Sequence, residues 1–465
     1  MFFLCAITLF VAPLIRGGNR QLSLIVLLAL GLLLLATLGA EQTYLLLQEK
    51  KLNEHQNLTP IWRKVLFTIL FLSPVWVGVL QLLPIPVDFW VQMPGRDSYL
   101  IAMQNMKLAK PNSFPLSLTP DATWASVLAG VPITAAFAAA LCLPMRVVKI
   151  LLALLLLAAV LQVLLSVLQL ALGSGSFFYF NFEAPSGVIG SFANRNHLAD
   201  FLVMAIPVCF LLFFLQTKKQ KSSESLLPGV NQQVILALLL FVGFALLVIL
   251  LSTLSRGGLL SGAVALGLSI GVYMLALGNK ISQKQRLSYL GIAIVFVACA
   301  MFASGLGGLQ ARLGEHLVTD AEARNTFARS ALEAAAQFWP WGSGLGSFEA
   351  VFPRFQSPLS YGYIEYAHND YVQLLMELGF AALVVMLAFI VLFVYQIIRF
   401  IQIYRTEHRL SSNVALQCFC GISVLAFLLH SWVEFNMHIP ALAITAAFLT
   451  GVFLRTPSLS GRRSV

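Results

Sequence analysis

Four stretches of this chain place polar side chains where long apolar runs begin or end. Their types suit phosphate and hydroxyl chemistry. Gly190-Ser191-Phe192-Ala193-Asn194-Arg195-Asn196-His197 stands directly before an apolar run that starts at Leu198. A helix N-cap explains one Asn there, but not two flanking an Arg. Ser252-Thr253-Leu254-Ser255-Arg256-Gly257-Gly258 forms a turn of about four residues between two apolar runs, so Arg256 must lie at the edge of an apolar layer or snorkel out of it. Gly257 and Gly258 would let backbone approach a ligand closely, and free N–H groups of the next helix's first turn would favour an anion. Arg324 and Arg329 lie on a predicted helix; Arg329 has Glu333 as an i,i+4 partner, and Arg324 has Asp320. Ala367-His368-Asn369-Asp370-Tyr371 opens a helix expected to run unbroken past Gly379. A histidine in a first turn is held neutral by the helix dipole, the form a general base needs.

Together these residues suggest two or three arginines able to clamp phosphate oxygens and a histidine able to deprotonate a hydroxyl. That set suits transfer from a phosphate- or diphosphate-linked donor to an alcohol, with arginines meeting the charge on the leaving group. A metal could meet that charge instead. No two Asp residues stand at i,i+2, and His368, Asp370, Glu434 and His438 could converge only by an accident of tertiary folding. Metal independence, with no cofactor, is the expectation.

The elements that hold these residues are membrane helices. Of 465 residues, 59% are hydrophobic and only 10% charged, with a mean hydropathy of +0.86; a soluble surface needs about 25% charged residues. Solid apolar runs, without short alternation, exclude a β-barrel. The predicted architecture is all-α and polytopic, with about twelve spans: 2–15, 22–39, 65–83, 125–143, 148–172, 198–215, 233–252, 257–277, 287–304, 378–398, 414–433 and 439–455. The six cysteines all fall in apolar blocks and read as small buried hydrophobes. Residues 1–15 lack a basic n-region and read as a retained first helix.

With the termini on the cytoplasmic side, 18 of the 29 basic residues fall in inside loops and tail, and 11 fall outside. The positive-inside rule favours this orientation, so the net charge of +10 reads as topology, not nucleic-acid binding. Two outside loops are long: 84–124, rich in Pro, and 305–377, of 73 residues. Loops of that length are usually functional. In the second, Thr319-Asp320-Ala321-Glu322 has capping-box spacing, predicting a helix over 320–338. Trp341, the glycines 342, 344 and 346, and Phe348, Phe352 and Phe355 then suggest a turn-rich aromatic segment near the outer interface.

On these residues the chain resembles the O-antigen ligase family. The likeness rests on Gly190-x-Phe192-x-Asn194-x-Asn196-x-x-Ala199, the Ser255-Arg256-Gly257 turn, an Arg opening the loop helix before Gly342-x-Gly344-x-Gly346, and His368-Asn369 with Gly379. It covers most of residues 180–455. Ala382 stands where the ligase pattern has Gly, Thr or Tyr. The family includes lipid A-core:surface-polymer ligases, O-antigen and exopolysaccharide polymerases, and protein O-oligosaccharyltransferases. The resemblance implies an inverting, metal-independent GT-C-like glycosyltransferase of the bacterial inner membrane, its large periplasmic loop between the ninth and tenth spans. The implied donor is an undecaprenyl diphosphate-linked glycan, and the acceptor is lipid A-core or another glycan. His368 would activate the acceptor hydroxyl, and Arg256, Arg324 and Arg195 would hold the diphosphate, with Asn194, Asn196, Asn369 and Gly257 in support. A transporter or flippase is the alternative class, weakened by the unlike halves of the chain.

Overall fold

The computed structural model describes residues 1–49, 61–107, 111–173, 175–180, 187–218, 231–277, 316–356, 362–408 and 410–456, with scattered positions between 284 and 298; the side chains of 45–49, 61, 62 and 316–325 lie outside this description. Among the described residues, eight helices are long and apolar enough to cross a membrane. They are Gln21–Glu49, Pro120–Cys142, Met145–Leu172, Arg195–Lys218, Gln232–Ser252, Arg256–Leu277, Phe380–Glu407 and Ser412–His430. The pair Ile61–Phe71 and Ser73–Gln81, bent by 54° at Leu72, has the length of a ninth, and Phe2–Val11 and Pro440–Phe453 are shorter apolar helices. Eleven of the twelve expected spans thus coincide with helices or helix pairs. Most of the span expected over 287–304, Cys299 included, lies outside the described residues.

Arg195–Lys218 is the central helix. It packs against Ser412–His430, Gln232–Ser252 and Arg256–Leu277, and Leu198 through Ile206 are buried without interruption. A helix apolar on every side must be surrounded by other helices, as this one is. Pro120–Cys142 plays the same part on the other side, holding Gln21–Glu49 and Pro440–Phe453.

The two long loops pack together over one end of the bundle. Ser343 O accepts from Leu118 N at 2.8 Å, and Leu345 O accepts from Thr123 Oγ1 at 2.7 Å. The buried Arg96 guanidinium donates to Leu116 O and Gly342 O at 2.9 and 3.1 Å; burial lowers its pKa to about 10. Pro84–Pro86 and Ser113–Pro115 form a small antiparallel ribbon in this layer.

Three local expectations change. The loop helix spans His316–Gln337, so Thr319–Glu322 lies inside it and does not cap it. Phe348 and Phe352 are buried with Phe338, Ala331, Ala334 and Met376 in a second apolar core, to which Phe355 adds a partly buried edge. Packing of the helix against the glycine-rich turn removes these rings from the interface. Finally, the helix opened by Asp370 ends at Leu378 and a new one starts at Phe380. Gly379 breaks it with φ +59°, and a Cβ there would collide with Pro340 O, so the turn requires glycine.

Candidate active site

Buried amides position the first polar stretch. Gln169 Oε1 accepts from Ile189 N and Gly190 N at 3.1 and 2.9 Å, and Gln162 Oε1 accepts from Ser191 N at 2.9 Å. Both glutamines stand on Met145–Leu172 and satisfy backbone groups that lipid could not. The pinned loop delivers Asn194, whose Oδ1 accepts from Asn196 N at 2.8 Å at the start of Arg195–Lys218. Asn194 is therefore the cap. The Asn196 side chain turns elsewhere, and its Nδ2 donates to both oxygens of the Glu434 carboxylate, at 3.2 and 3.3 Å.

Glu434, fully buried, is also the partner of His368. Nδ1 of His368 lies 3.0 Å from Glu434 Oε1 and the ring is one-quarter exposed. With Nδ1–H donating to the carboxylate, Nε2 presents its lone pair outward, the tautomer a general base requires. His368 does not stand in a helical first turn as expected. Asn369 is the N-cap, its Oδ1 accepting from Tyr371 N and Val372 N at 3.1 Å, and His368 precedes it in the left-handed conformation, φ +51°. A paired carboxylate, and not the helix dipole, orients the ring.

Phe435 fills the space beside this pair. Its ring centroid lies 5.0 Å from that of His368, 4.8 Å from His197 and 4.3 Å from Tyr366, on which it stacks. Burial pushes the Tyr366 phenol up to about 12, so it remains a neutral hydroxyl.

His368, Asp370, Glu434 and His438 do converge, against expectation, but as two pairs. His438 Nδ1 lies 2.9 Å from Asp370 Oδ1. Desolvation opposes the charged form of His438, yet Asp370 and Glu377 outweigh it and raise its pKa. Glu377, whose own pKa burial raises, accepts from Gly346 N at 2.8 Å and ties the glycine turn to this centre. A third pair, His430 Nδ1 with Asp200 Oδ1 at 3.0 Å, is fully buried between helices. Among the described residues no group of three or more His, Cys, Asp or Glu is arranged to hold a metal ion.

The arginines divide. Arg256 is exposed at the start of its helix, just past the short turn that follows Ser252. A Cβ on Gly257 would stand 2.7 Å from both His430 Cδ2 and Val433 Cγ2, so Gly257 admits the 430–433 segment and brings Arg256 beside the residues preceding Glu434. Arg195 is half-buried and already engaged within the protein. Arg324 lies on His316–Gln337, but its side chain is outside the described residues. On the flank of the site opens a largely apolar cavity of about 1290 Å³, whose lining includes Gly257, the polar Tyr366, His438, Glu365 and Glu377, and apolar residues such as Phe71 and Phe389.

Glu434, Asp370, His438 and Asp200 are the residues that sequence reasoning did not assign. Asp200 carried a signal, being a carboxylate inside an apolar run, where ionisable residues are expensive. Glu434 and His438 share a short loop between two apolar runs, a weaker signal of the same kind.

An apolar helical bundle capped by a polar layer, with histidine–carboxylate pairs at their junction, defines a multi-pass membrane protein with an enzyme-like centre. Residues 240–387, which hold Arg256, Arg324, the glycine turn and His368, match the family model described as O-Antigen ligase. The match bears out the resemblance read from the motifs and makes the chain similar to O-antigen ligase-type membrane enzymes. No curated protein matches the chain.

Proposed function

We propose that this protein transfers a glycan from an undecaprenyl diphosphate-linked donor to an acceptor hydroxyl at the periplasmic face of the bacterial inner membrane, in ligase fashion onto lipid A-core. The observation that carries the reading is the His368–Glu434 pair, with Nδ1 held at 3.0 Å and the ring one-quarter exposed. In this reading Nε2 takes the acceptor's proton as its oxygen attacks the anomeric carbon. The bond from that carbon to the diphosphate oxygen breaks, undecaprenyl diphosphate leaves, and the single displacement inverts the centre. Glu434 fixes the tautomer and stabilises the imidazolium as it forms, as the carboxylate of a catalytic triad does.

Arg256, Arg324 and Arg195 hold the diphosphate. Arg256 is the best placed of the described ones, exposed beside the Glu434 segment. The apolar cavity on the same flank suits part of a polyprenyl chain. Asn194, Asn369 and Gly257 support the site through caps and close packing, and Asn196 through Glu434. The reaction proceeds without a metal, and the charge distribution along the chain favours cytoplasmic termini.

Ala382 departs from the ligase pattern and weakens the choice of ligase over its relatives; the alternative is that the acceptor is another repeat unit, as in a polymerase. The surface glycan of a deletion strain separates the two: free core with polymer retained on carrier lipid supports the ligase, whereas single repeat units on core support the polymerase. For the chemistry itself, purified protein in detergent with EDTA should transfer glycan from the lipid-linked donor, and His368→Ala should abolish turnover while leaving donor binding intact. An active His368→Ala variant would remove the base assignment; activity lost in EDTA and restored by Mg or Mn would remove metal independence. Failure to transfer without an ion gradient would return the transporter class to contention.

A further inference from the structure

We propose that Asp370 is a positioning residue that clamps the loop carrying Glu434 against His368, an inference that rests on the glycosyl-transfer reading above. Asp370 is fully buried and grips that loop at three points. Its backbone N donates to Ser431 O at 3.0 Å. Its Oδ2 accepts from Met437 N and its Oδ1 from His438 Nδ1, both at 2.9 Å. Glu434 therefore lies at the middle of a segment held at both ends by one residue. That residue is two positions from His368 in sequence, so the same helix start carries the base and fixes the base's partner.

His438 acts as a strut in this clamp. Its Nδ1 faces Asp370, and its Nε2 lies 3.0 Å from Gln373 Nε2. The Gln373 amide is itself pinned, with Oε1 accepting from Ala367 N and Nε2 donating to Glu377 Oε1, each at 3.1 Å. In its neutral form Nε2 of His438 accepts from Gln373 Nε2, and the ring then has no lone pair left for chemistry of its own. Ala367 N is held on one side of His368 and Asp370 on the other. These restraints hold His368 at φ +51°, a left-handed conformation that a residue with a side chain adopts only when its surroundings impose it.

The test is a double-mutant cycle on purified full-length protein, measuring kcat and donor KM. An amide at 370 can accept at one oxygen only, so Asp370→Asn sets an N–H against either Met437 N–H or His438 Nδ1–H and releases one end of the loop. We expect kcat to fall about tenfold to a hundredfold, the penalty for misplacing a reacting group by an ångström, with donor KM nearly unchanged. In a Glu434→Gln background the same change should cost almost nothing more, because its route of action is already cut. Full multiplication of the two losses would overturn the proposal.

A second pair of variants carries the test if Asp370→Asn fails to fold. His438→Asn keeps an N–H near the Nδ1 position and should retain most activity, whereas His438→Ala should behave like Asp370→Asn. Equal losses in both would count against the clamp. If the wild type transfers glycan and His368→Ala does not, either failure falls on this inference alone; if the wild type does not transfer, the reading of the reaction has failed first.

Discussion

Glu434→Gln is the sharpest perturbation of the proposed chemistry, because it changes charge while keeping shape. The carboxylate is fully buried, 3.0 Å from His368 Nδ1 and bridged by Asn196 Nδ2 at 3.2 and 3.3 Å. The amide can keep one of these hydrogen bonds as an acceptor, so little packing is lost. What disappears is the negative charge that meets the imidazolium as the proton arrives. A hydrogen bond to a charged group is worth about 1.5–3 kcal/mol, and a pair of unit charges about 4 Å apart near a protein surface about 4 kcal/mol. At about 1.4 kcal/mol per tenfold, kcat should fall between about tenfold and a thousandfold. Since the charge matters only as the transition state forms, donor KM should stay close to the wild-type value. The assay is transfer from lipid-linked donor by purified protein, with initial rates over a range of donor concentrations. A Glu434→Gln enzyme within twofold of the wild-type kcat would refute the idea that this carboxylate supports a base.

Arg256→Lys keeps charge but loses the two-pronged fork, so kcat/KM should drop about tenfold to a hundredfold, in line with one or two charge-assisted hydrogen bonds; a fully active Lys variant would reduce Arg256 to an interfacial anchor. Gly257→Ala forces a methyl group against His430 and Val433, each 2.7 Å from the new carbon, and should lower stability by about 1–3 kcal/mol, as overpacking does, visible as a lower melting temperature in detergent. The His438–Asp370 pair sets a pH dependence of stability. Because the folded-state pKa of His438 is raised above its ordinary 6.5, its contribution is complete below that value and is lost as pH rises through the higher folded-state value. The stability advantage of wild type over His438→Ala should accordingly shrink with rising pH across that window; an advantage growing toward high pH would contradict the assignment.

The bundle is legible in the sequence because hydropathy is a local property: each apolar run reports its own burial, and the helices coincide with the runs to within a few residues at most ends. Composition does not report the distance between runs. Asn196 and Glu434 are 238 residues apart and share a hydrogen bond; His368 and Glu434 are 66 apart and do likewise. His368, the proposed base, directly precedes the N-cap Asn369 of a helix that follows a long loop, whereas its partner Glu434 sits in a short loop with no motif of its own. The same limit explains why Asn194 and Asn196, alike in sequence, have separate roles. One bonds its own chain two residues on, and the other reaches across the site.

The helix dipole, expected to keep His368 neutral, would in any case have left the rotation of its ring unspecified. The left-handed φ of +51° lifts His368 out of the helix, and a ring on a loop needs an external constraint to hold one tautomer in one direction. Glu434 supplies that constraint, at the expense of burying a carboxylate. A buried carboxylate must in turn be surrounded by donors, which Asn196 and His368 provide. Each polar group at this junction thus makes the next one necessary, and the chain of requirement runs from the left-handed residue through Glu434 to the loop that Asp370 holds. A site built this way should tolerate changes in the surrounding apolar helices better than single-atom changes along that chain.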